Sequence, residues 1–456
     1  MKNDTIAAIA TPPGIGAISI IRVSGPSSID KIASVFRASK SLIEAEERRM
    51  LYGKIIDPRD KQEIDRVLVV KFIAPHSYTG EDMVEIHCHG SRLITSEIMR
   101  ILVESGIRPA CPGEYSLRAF LNGKIDLVQA EAVADVIQAQ TKAALKASQR
   151  QLEGELSKHL NAIKNDLKDT VALLELSLDF SEEDITFIQA NDLKTRIEKS
   201  LESIKSLLKG FRYGKILREG LIVVLTGKPN VGKSSILNKL LQKERAIVSD
   251  IPGTTRDSIE EWIDINGYLI RIIDTAGIWG AQGVLEQKAK DRTLKAVQNA
   301  DLVLFITDGS SELDSEDLQA LKQIEEKYNG TIILIRNKAD LGLAALNERI
   351  LQKFDGALVI SAKTGEGFEN LEKRILAQIA ELPHEDEIIC NDRHYEELLK
   401  AKSELENALE ALERSLSEEF LAVHLKGALS CLGRITGEVT VDEILDHIFS
   451  RFCIGK

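Results

Sequence analysis

The sequence predicts a multidomain protein: an N-terminal α+β domain, then a discontinuous helical bundle into which an α/β P-loop domain is inserted. Three observations lead to this fold class. The length of 456 residues suggests about three domains. A strand, a glycine loop and a helix start follow one another in mid-chain, and leucine-rich heptad seams flank them. Because compact domains tolerate insertion at close-set ends, the flanking seams are interpreted as one bundle.

The first 120 residues predict the α+β domain. Apolar runs at 17–23, 66–72 and 83–89 are typical of strands, and 91–102 has a helical pattern. His87 and His89 would lie on one face of the third strand, because side chains alternate along a strand. A zinc site would need further ligands that the sequence does not signal, so ordinary strand histidines are the preferred interpretation.

The heptad seams are interpreted as helix-packing faces rather than ligand sites, because apolar residues at steps of three and four share one side of a helix. The seams are Leu152, Leu156, Leu160, Ile163, Leu167, Val171 and Leu174 on one long helix, Leu193, Ile197, Leu201, Ile204 and Leu208 on a second, and Leu405, Leu409, Leu412 and Leu416 after the α/β domain.

The α/β domain opens on a phosphate-binding motif. The apolar run 221–225 leads into GKPNVGKS at 227–234, which fits Gly-x-x-x-x-Gly-Lys-Ser. Such a loop surrounds phosphate oxygens with backbone N–H groups, while Lys233 supplies a charge and the Ser234 hydroxyl a Mg²⁺ ligand. The predicted phosphate contacts are Asn230, Val231, Gly232, Lys233, Ser234 and Ser235.

Two later motifs favour guanine over adenine, and hence GTP. Asp340, in the NKAD motif at 337–340, can accept from two guanine N–H groups that adenine lacks. Asn337 would bridge back to the P-loop or to the base, and the Ala362 N–H could reach guanine O6. The predicted contacts are Asn337, Lys338, Ala339, Asp340, Ser361, Ala362 and Lys363.

Two segments between these motifs are candidate switch elements. Asp274, which begins the DTAG motif, could hold a Mg²⁺-bound water, and the Gly277 N–H could face the γ-phosphate. Upstream, the Thr255 hydroxyl is a candidate second Mg²⁺ ligand. The predicted contacts are Ser249, Asp250, Ile251, Pro252, Gly253, Thr254, Thr255, Asp274, Thr275, Ala276 and Gly277.

Ile278 stands where a Ras-like switch carries a water-orienting glutamine. Phosphoryl transfer depends mainly on positioning and charge neutralisation, so a cation near the β- and γ-phosphates could replace an arginine finger. The Asn230 amide oxygen and carbonyls of 249–254 could hold it. We predict that this cation is K⁺, although composition and spacing alone do not identify it.

The charge balance and the cysteines restrict the class of protein. There are 71 acidic and 59 basic residues, which argues against a broad basic nucleic-acid surface but not against a local one. Five cysteines without a C-x-x-C pair, and the lack of an apolar segment after Met1, favour the cytoplasm. No apolar run approaches the ~18 residues of a membrane span, so no membrane partner is expected.

The runs most specific to one family lie outside the α/β domain. They are DTIAA at 4–8, TPPG at 11–14, YTGED at 78–82, PGEYSLRAFL at 112–121, NGKIDLVQAE at 122–131, ITGE at 435–438 and CIGK at 453–456. With these runs the chain resembles the MnmE (TrmE) family of tRNA modification GTPases over essentially its whole length. A prenylation signal does not fit CIGK, because Gly455 is not aliphatic.

The resemblance implies a domain at 1–120 that binds tetrahydrofolate and dimerises, a discontinuous helical domain at 121–217 and 381–456, and an inserted G domain at 218–380. Arg22, Glu81, Lys124 and Lys456 match by position the residues that contact formyl-tetrahydrofolate in the family. A carboxylate suits pterin N–H groups, and cations suit the acidic end of the ligand. Cys453 would be a functional thiol near the folate.

The resemblance also implies a GTPase activated by K⁺-dependent pairing of two G domains. Its catalytic candidates are Glu286, Cys453, Thr255 and Asp274; its K⁺ ligands are Asn230, Ser249, Ile251 and Thr254; its Mg²⁺ ligands are Ser234 and Thr255. Glu286 matches a water-organising glutamate by position, although Glu-Gln-Lys-Ala-Lys at 286–290 departs from the usual Glu-x-x-Gly-Ile.

The implied reaction modifies C5 of the wobble uridine (position 34) of certain tRNAs. The group added would be aminomethyl or carboxymethylaminomethyl, with methylene-tetrahydrofolate as the one-carbon donor. The homodimer would join an FAD-binding MnmG (GidA) subunit in a heterotetramer, and FAD would belong to that subunit alone.

Two other classes stay open. A GTP-dependent RNA-binding or ribosome-assembly factor would need an RNA-binding module, and the sequence shows neither a KH-type motif nor an RNP1 cluster. A membrane-remodelling GTPase is weakly favoured by the heptads and disfavoured by the missing basic or lipidated segment. Folate binding would separate a tRNA modification GTPase from both of these classes.

Overall fold

A computed structural model describes residues 4–179, 189–243, 259–275, 293–346, 348–354, 356–382, 391–439, 442–450, 452 and 455. The chain forms two compact units. One comprises Met1–Ala134, Ser157–Asn165 and Lys426–Lys456, and the other comprises Asp135–Leu156 and Asp166–Leu425. The domain limits expected from the sequence stay a prediction.

The first unit contains a seven-stranded sheet. Its strands are β1 Ile6–Ile9, β2 Ile18–Ser24, β3 Phe36–Ala38, β4 Leu51–Ile56, β5 Glu63–Phe72, β6 Met83–His89 and β7 Arg108–Pro109. The order is β3-β4-β5-β6-β2-β1-β7, and every pairing is antiparallel except β1 with β7. The strands predicted at 17–23, 66–72 and 83–89 are β2, β5 and β6.

Helices cover one face of this sheet. They are α1 Ser28–Val35 and α2 Arg92–Glu104. Helices α3 Glu114–Leu121 and α4 Leu127–Gln138 follow along the chain, and Tyr115 of α3 packs with Ile6 and Ala8 on the other face. Val23 and Ile86 point to the buried face with α1 and α2. Because side chains alternate along a strand, Arg22 and Glu85 lie on the opposite face, and the β2–β6 register sets them directly across from each other.

Long helices precede the second sheet. They are α5 Lys142–Leu152, α6 Glu155–Asp179 and α7 Ala190–Glu219. The predicted single helix from Leu152 to Leu174 is wrong in one respect, because Leu152 ends α5. Gly154, at φ 82°, separates α5 from α6, and this left-handed conformation favours glycine. From Leu156 onward the predicted seam of α6 is buried.

The second unit contains a six-stranded sheet. Its strands are β8 Leu221–Thr226, β9 Ile259–Ile265, β10 Tyr268–Asp274, β11 Leu302–Asp308, β12 Thr331–Asn337 and β13 Leu358–Val359. The order is β13-β12-β11-β8-β10-β9, parallel except for the β9–β10 hairpin. The helices α8 Lys233–Lys243, α9 Ser315–Glu325, α10 Glu348–Lys353 and α11 Phe368–Ala380 accompany it.

Helices return after this sheet as α12 Asp392–Glu413, α13 Glu418–Thr436 and α14 Asp442–Phe449. Helix α12 packs along α7, and the rings of Phe211 and Tyr395 stack with centroids 4.1 Å apart. A helix before the second sheet therefore pairs with a helix after it, as expected for a bundle that an inserted α/β domain interrupts. The predicted multidomain fold class is confirmed.

The third predicted seam is wrong in register. Leu405 is buried, but Leu416 lies beyond α12 and is exposed. The buried face of α12 instead uses Leu398, Ala401 and Ala408 together with Leu405. Alanine fills part of the buried face, whereas Leu409 and Leu412 are only half-buried, so a pattern of leucine alone marks one edge of this face. In the described part of the chain, no helix is long and apolar enough to cross a membrane.

Candidate functional site

The P-loop connects β8 to α8 at the carboxyl edge of the second sheet. Gly227 has φ 138°, and a Cβ atom there would lie 2.1 Å from the Ile306 carbonyl oxygen of β11. Gly232 has φ 98°, and a Cβ atom there would lie 2.2 Å from Asn337 Nδ2. Both positions require glycine, because the loop passes so close to neighbouring strands. Asn230 also adopts a left-handed conformation, at φ 64°.

Lys233 points its ammonium group into the loop. Its Nζ donates to the carbonyl oxygens of Gly227 at 2.7 Å and Lys228 at 2.5 Å, and the residue is buried. Burial lowers the pKa of Lys233, while the Asp274 carboxylate acts in the opposite direction. The loop therefore holds a positive charge against its own backbone, which is the charge that a phosphate group needs.

Ser234 and Asp274 meet beside this loop. The Ser234 Oγ donates to Asp274 Oδ2 at 2.9 Å, and Asp274 is buried at the end of β10. The next residue, Thr275, donates its hydroxyl to the Leu225 carbonyl oxygen at 2.7 Å and so ties the end of β10 to β8. Hydroxyl and carboxylate oxygens are both ligand types that suit Mg²⁺.

Asn337 joins the P-loop to the Ser361–Lys363 segment. Its Nδ2 donates to the Val231 carbonyl oxygen at 2.8 Å, and its Oδ1 accepts from the Ala362 N–H at 3.0 Å. The sequence left open whether Asn337 bridges to the P-loop or to the base, and its amide nitrogen contacts the P-loop. The Ala362 N–H, expected at guanine O6, contacts Asn337 in this structure.

Asp340 lies in a 3-10 turn, Ala339–Leu341, after β12. Its Oδ1 accepts from the Ser361 hydroxyl at 2.7 Å, and Lys363 Nζ lies 3.8 Å from its Oδ2. The hydrogen bond from Ser361, assisted by the charge of Lys363, holds the pKa of Asp340 below its ordinary value. The side chain is thus kept as a charged acceptor.

Lys338 has a partner that sequence reasoning missed. Its backbone is left-handed at φ 65°, and its Nζ donates to Asp308 Oδ2 at 2.6 Å. Burial by itself would raise the pKa of Asp308, but hydrogen bonds from Lys338 and Ser310 lower it overall. Asp308 ends β11, next to β12, so its place at a strand end was the available signal.

Several predicted residues lie outside the described part of the chain. They are Ser249, Asp250, Ile251, Pro252, Gly253, Thr254, Thr255, Ala276, Gly277, Glu286, Cys453 and Lys456. Among the described nucleotide residues, Asn230, Gly232, Lys233, Ser234, Asp274, Asn337 and Ser361 gather at one edge of the sheet. Parallel strands end at the same edge, which explains why motifs far apart in sequence meet there.

A second cluster surrounds Arg22 in the first unit. Its guanidinium group donates to Glu85 Oε1 from Nε at 3.0 Å and from Nη2 at 2.8 Å, and its Nη1 donates to the Gly455 carbonyl oxygen at 3.3 Å. Its carbon Cζ lies 5.6 Å from the ring centre of Tyr78 and 5.7 Å from that of Tyr115. Two aromatic rings, a carboxylate and a backbone carbonyl therefore hold this cation.

Glu81 lies in the same loop as Tyr78. Its Oε2 accepts from the Ser24 hydroxyl at 2.8 Å, and Arg118 Nη1 lies 3.2 and 3.1 Å from its two oxygens. Lys124 approaches this loop as well, since a Cβ atom on Gly80 would lie 3.2 Å from Lys124 Cγ. Three of the four predicted folate residues, Arg22, Glu81 and Lys124, thus converge on the loop Tyr78–Asp82.

The donor set of this cluster fits a folate. A half-buried carboxylate can accept from pterin N–H groups, and two cations suit an acidic tail. Sequence reasoning did not assign roles to Ser24, Glu85, Tyr115 and Arg118. Tyr115 and Arg118 lie inside the run at 112–121 that carried the resemblance, and Ser24 shares a strand with Arg22.

The histidines of β6 do not gather further ligands. His87 Nε2 lies 3.5 Å from Glu85 Oε2, a distance at which we assign no hydrogen bond, and His89 Nδ1 lies 2.7 Å from Asp65 Oδ1. In the described ranges, no group of three or more His, Cys, Asp or Glu side chains could hold a metal ion.

Two family models match successive parts of the chain. Residues 5–124 match the family model described as GTP-binding protein TrmE N-terminus, and residues 127–453 match the MnmE helical domain. A protein of Natranaerobius thermophilus named tRNA modification GTPase MnmE is 42% identical over 462 residues, which is 100% of both chains. A protein of the same name from Carboxydothermus hydrogenoformans is 42% identical over 464 residues, again with 100% of both chains covered.

Among solved structures, the G domain of the FeoB iron transporter of T. maritima is 29% identical. The match covers 35% of this chain and 98% of that one, with a TM-score of 0.28.

Proposed function

Because the chain belongs to the MnmE family of tRNA modification GTPases, we propose that its GTP hydrolysis serves the modification of C5 of the wobble uridine (position 34) in certain tRNAs. The chain is a GTPase of the tRNA modification pathway. The group added is aminomethyl or carboxymethylaminomethyl, and methylene-tetrahydrofolate donates the carbon. The observation that carries the proposal is the convergence of Arg22, Glu81 and Lys124 on one loop of a chain that also has a P-loop.

In the nucleotide site, each described residue has a role that its contacts support. Lys233 binds the β- and γ-phosphates, and Asp340 accepts from the N–H groups of guanine. Asn337 keeps the P-loop and the Ala362 segment together, so that phosphate and base are held at a fixed separation. Ser234 and Thr255 would hold Mg²⁺, which would supply positive charge beside the phosphate oxygens.

For hydrolysis, we propose a K⁺ ion held by the side chain of Asn230 and by backbone groups of Ser249, Ile251 and Thr254. Asn230 lies in the P-loop with a left-handed backbone, at φ 64°, which asparagine adopts more readily than most residues other than glycine. Such a cation would supply the charge that an arginine finger supplies elsewhere. Glu286 would orient water when two G domains of a homodimer pair.

In the folate site, Glu81 accepts from N–H groups of the pterin, and Arg22, Lys124 and Lys456 hold the acidic end. Cys453 is proposed as a thiol near the carbon donor. The partner is an FAD-binding MnmG subunit, which joins the dimer in a cytoplasmic heterotetramer and contributes the FAD. The substrate is tRNA.

The test of the nucleotide mechanism is GTP turnover by the purified chain in KCl and in NaCl at equal ionic strength. We expect K⁺ to raise turnover by about tenfold or more, and Asn230→Ala to abolish this stimulation. Asn266→Ala is the matched control, since Asn266 is also left-handed, at φ 52°, in the β9–β10 turn. It should keep the stimulation.

Equal slow rates in the two salts would refute the K⁺ mechanism. They would also favour a GTP-dependent RNA-binding switch protein. Equilibrium binding of 5-formyl-tetrahydrofolate to the same preparation separates the two functions, because only the proposed enzyme needs a folate.

A further inference from the structure

Arg118 is a buried arginine at the back of the folate cluster. Its relative exposure is 6%, and its Nη1 lies 3.2 and 3.1 Å from the Glu81 oxygens and donates to the Asp4 carbonyl oxygen at 2.9 Å. Its Nη2 donates to Asp4 Oδ1 at 2.7 Å and to Glu114 Oε1 at 3.0 Å. Burying a guanidinium group is costly unless its N–H groups are satisfied, and here three carboxylates surround it.

A second arginine shares two of these carboxylates but not the third. Arg108 donates to Asp4 Oδ2 at 2.8 Å and to Glu114 at 3.0 and 2.5 Å. Asp4 and Glu114 thus each have two arginine partners, whereas Arg118 is the one arginine at Glu81 among the described residues. Two guanidinium groups face three carboxylates, so the network retains one negative charge, and Glu81 is its least compensated member.

Ser24 holds Glu81 from another side. The Ser24 hydroxyl is fully buried, donates to Glu81 Oε2 at 2.8 Å and lies 2.7 Å from the Thr79 hydroxyl. A carboxylate offers about four lone-pair sites. Arg118 lies against both oxygens and Ser24 occupies a second site on Oε2, which leaves one site on Oε1 among the described residues. The Glu81 side chain is 22% exposed, so a ligand can reach this side chain.

We propose that Arg118 and Ser24 are positioning residues for folate recognition: they hold the Glu81 carboxylate so that Oε1 accepts an N–H group of the pterin edge. This inference rests on the proposed folate-binding function. Arg118 acts through its planar fork, since one nitrogen spans both Glu81 oxygens while the other is held by Asp4 and Glu114. A lysine would keep the charge but not this geometry.

The experiment measures binding of 5-formyl-tetrahydrofolate to the full chain by titration calorimetry. Arg118→Lys and Ser24→Ala are each tested alone and together with Glu81→Gln. We expect each single variant to weaken the affinity by about tenfold, because a hydrogen bond to a charged group is lost. In the Glu81→Gln background the same changes should cost less than about twofold, because residues that act through one partner are not additive.

Arg108→Lys is the matched control. This substitution disturbs the same Asp4 and Glu114 carboxylates but does not touch Glu81. The affinity of the variant for 5-formyl-tetrahydrofolate should therefore stay within about twofold of that of the parent chain. The binding stoichiometry reports the folded fraction separately from the affinity. If Arg118→Lys yields no folded chain, Ser24→Ala carries the test by itself.

The outcomes separate the inference from its premise. A parent chain that binds no folate refutes the proposed function. A parent chain that binds folate, with variants that bind equally well or lose affinity equally in both backgrounds, overturns the positioning role and retains the folate site. An Arg108→Lys loss equal to that of Arg118→Lys also overturns it, because the effect would then come from the network in general.

Discussion

Single side chains in both sites serve two neighbours at once. Asn337 contacts the P-loop through its nitrogen and the Ala362 segment through its oxygen. Ser234 at the start of α8 contacts Asp274 at the end of β10, and Glu81 is held from two sides. A change at such a residue therefore alters two segments, and its effect on ligand binding should exceed that of a surface contact.

Asp340→Asn should change the preferred base from guanine to xanthine. The asparagine amide can accept one N–H group but repels the guanine 2-amino group with its own NH₂, whereas xanthine offers a carbonyl oxygen there. We expect GTP affinity to fall by about a hundredfold while XTP affinity rises, because an unpaired buried group is costly. Competition binding with the two nucleotides measures the change.

Asp264→Asn is the control for this charge change. Asp264 accepts from the Gly267 N–H in the β9–β10 turn of the same unit, and its remaining oxygen can keep that bond. Its base preference should not change. If Asp340→Asn still prefers GTP, then Asp340 does not contact the base.

At the scale of elements, the approach of the P-loop to β11 sets the position of the phosphate site. Gly227→Ala would place a carbon 2.1 Å from the Ile306 carbonyl oxygen, in a backbone conformation that alanine avoids. We expect the loop to shift, with a loss of about 2 kcal/mol or more in stability and a loss of GDP binding. Melting temperature and GDP titration give the two readouts.

Gly267→Ala distinguishes the clash from the backbone strain. Gly267 also has a positive φ, 87°, but an added Cβ would meet no atom within 4 Å. Gly267→Ala should lower the free energy of unfolding by only about 1 kcal/mol and leave GDP affinity unchanged. Equal effects of the two variants would mean that the approach of the loop to β11 is unimportant.

Elements with strong local patterns could be predicted from the sequence, and those set by neighbours could not. The strands before the P-loop and the NKAD motif are continuous apolar runs, so β8 and β12 were evident. The buried face of α12 uses Ala401 and Ala408, and alanine does not mark a core position by itself. The short strand β7 has only two residues and exists through its pairing with β1.

The two candidate sites also differ in how far the sequence predicts them. Nucleotide residues follow strand ends, so their meeting at one edge follows from parallel topology. The contacts of Glu81 with Ser24 and Arg118 join segments that no local pattern relates. They depend on how β2, the loop Tyr78–Asp82 and α3 pack together, and the sequence alone does not predict this packing.

At the scale of the whole molecule, the two candidate ligand sites lie in different compact units. The folate cluster belongs to the first unit and the P-loop to the second. A ligand stabilises only the part of the protein whose folded form it binds, by about 2.7 kcal/mol at a hundredfold excess over its Kd. Calorimetry of the full chain should therefore show one transition raised by GDP and another raised by 5-formyl-tetrahydrofolate.

Asp340→Asn again supplies the control, since it should remove the GDP shift and leave the folate shift intact. A single transition that both ligands raise equally would contradict the prediction, because the units would then unfold together.

The hydrogen bond from Arg22 to the Gly455 carbonyl oxygen joins residues 433 positions apart. During synthesis, domains generally fold from the N-terminus as the chain emerges. The sheet that carries Arg22 is made early, yet the nascent chain cannot form this contact until Gly455 has also been synthesised and has emerged from the ribosome. A translation product that stops before Gly455 would therefore carry the P-loop but lack this contact of Arg22, and we expect it to keep GTP hydrolysis while the proposed folate binding is weakened.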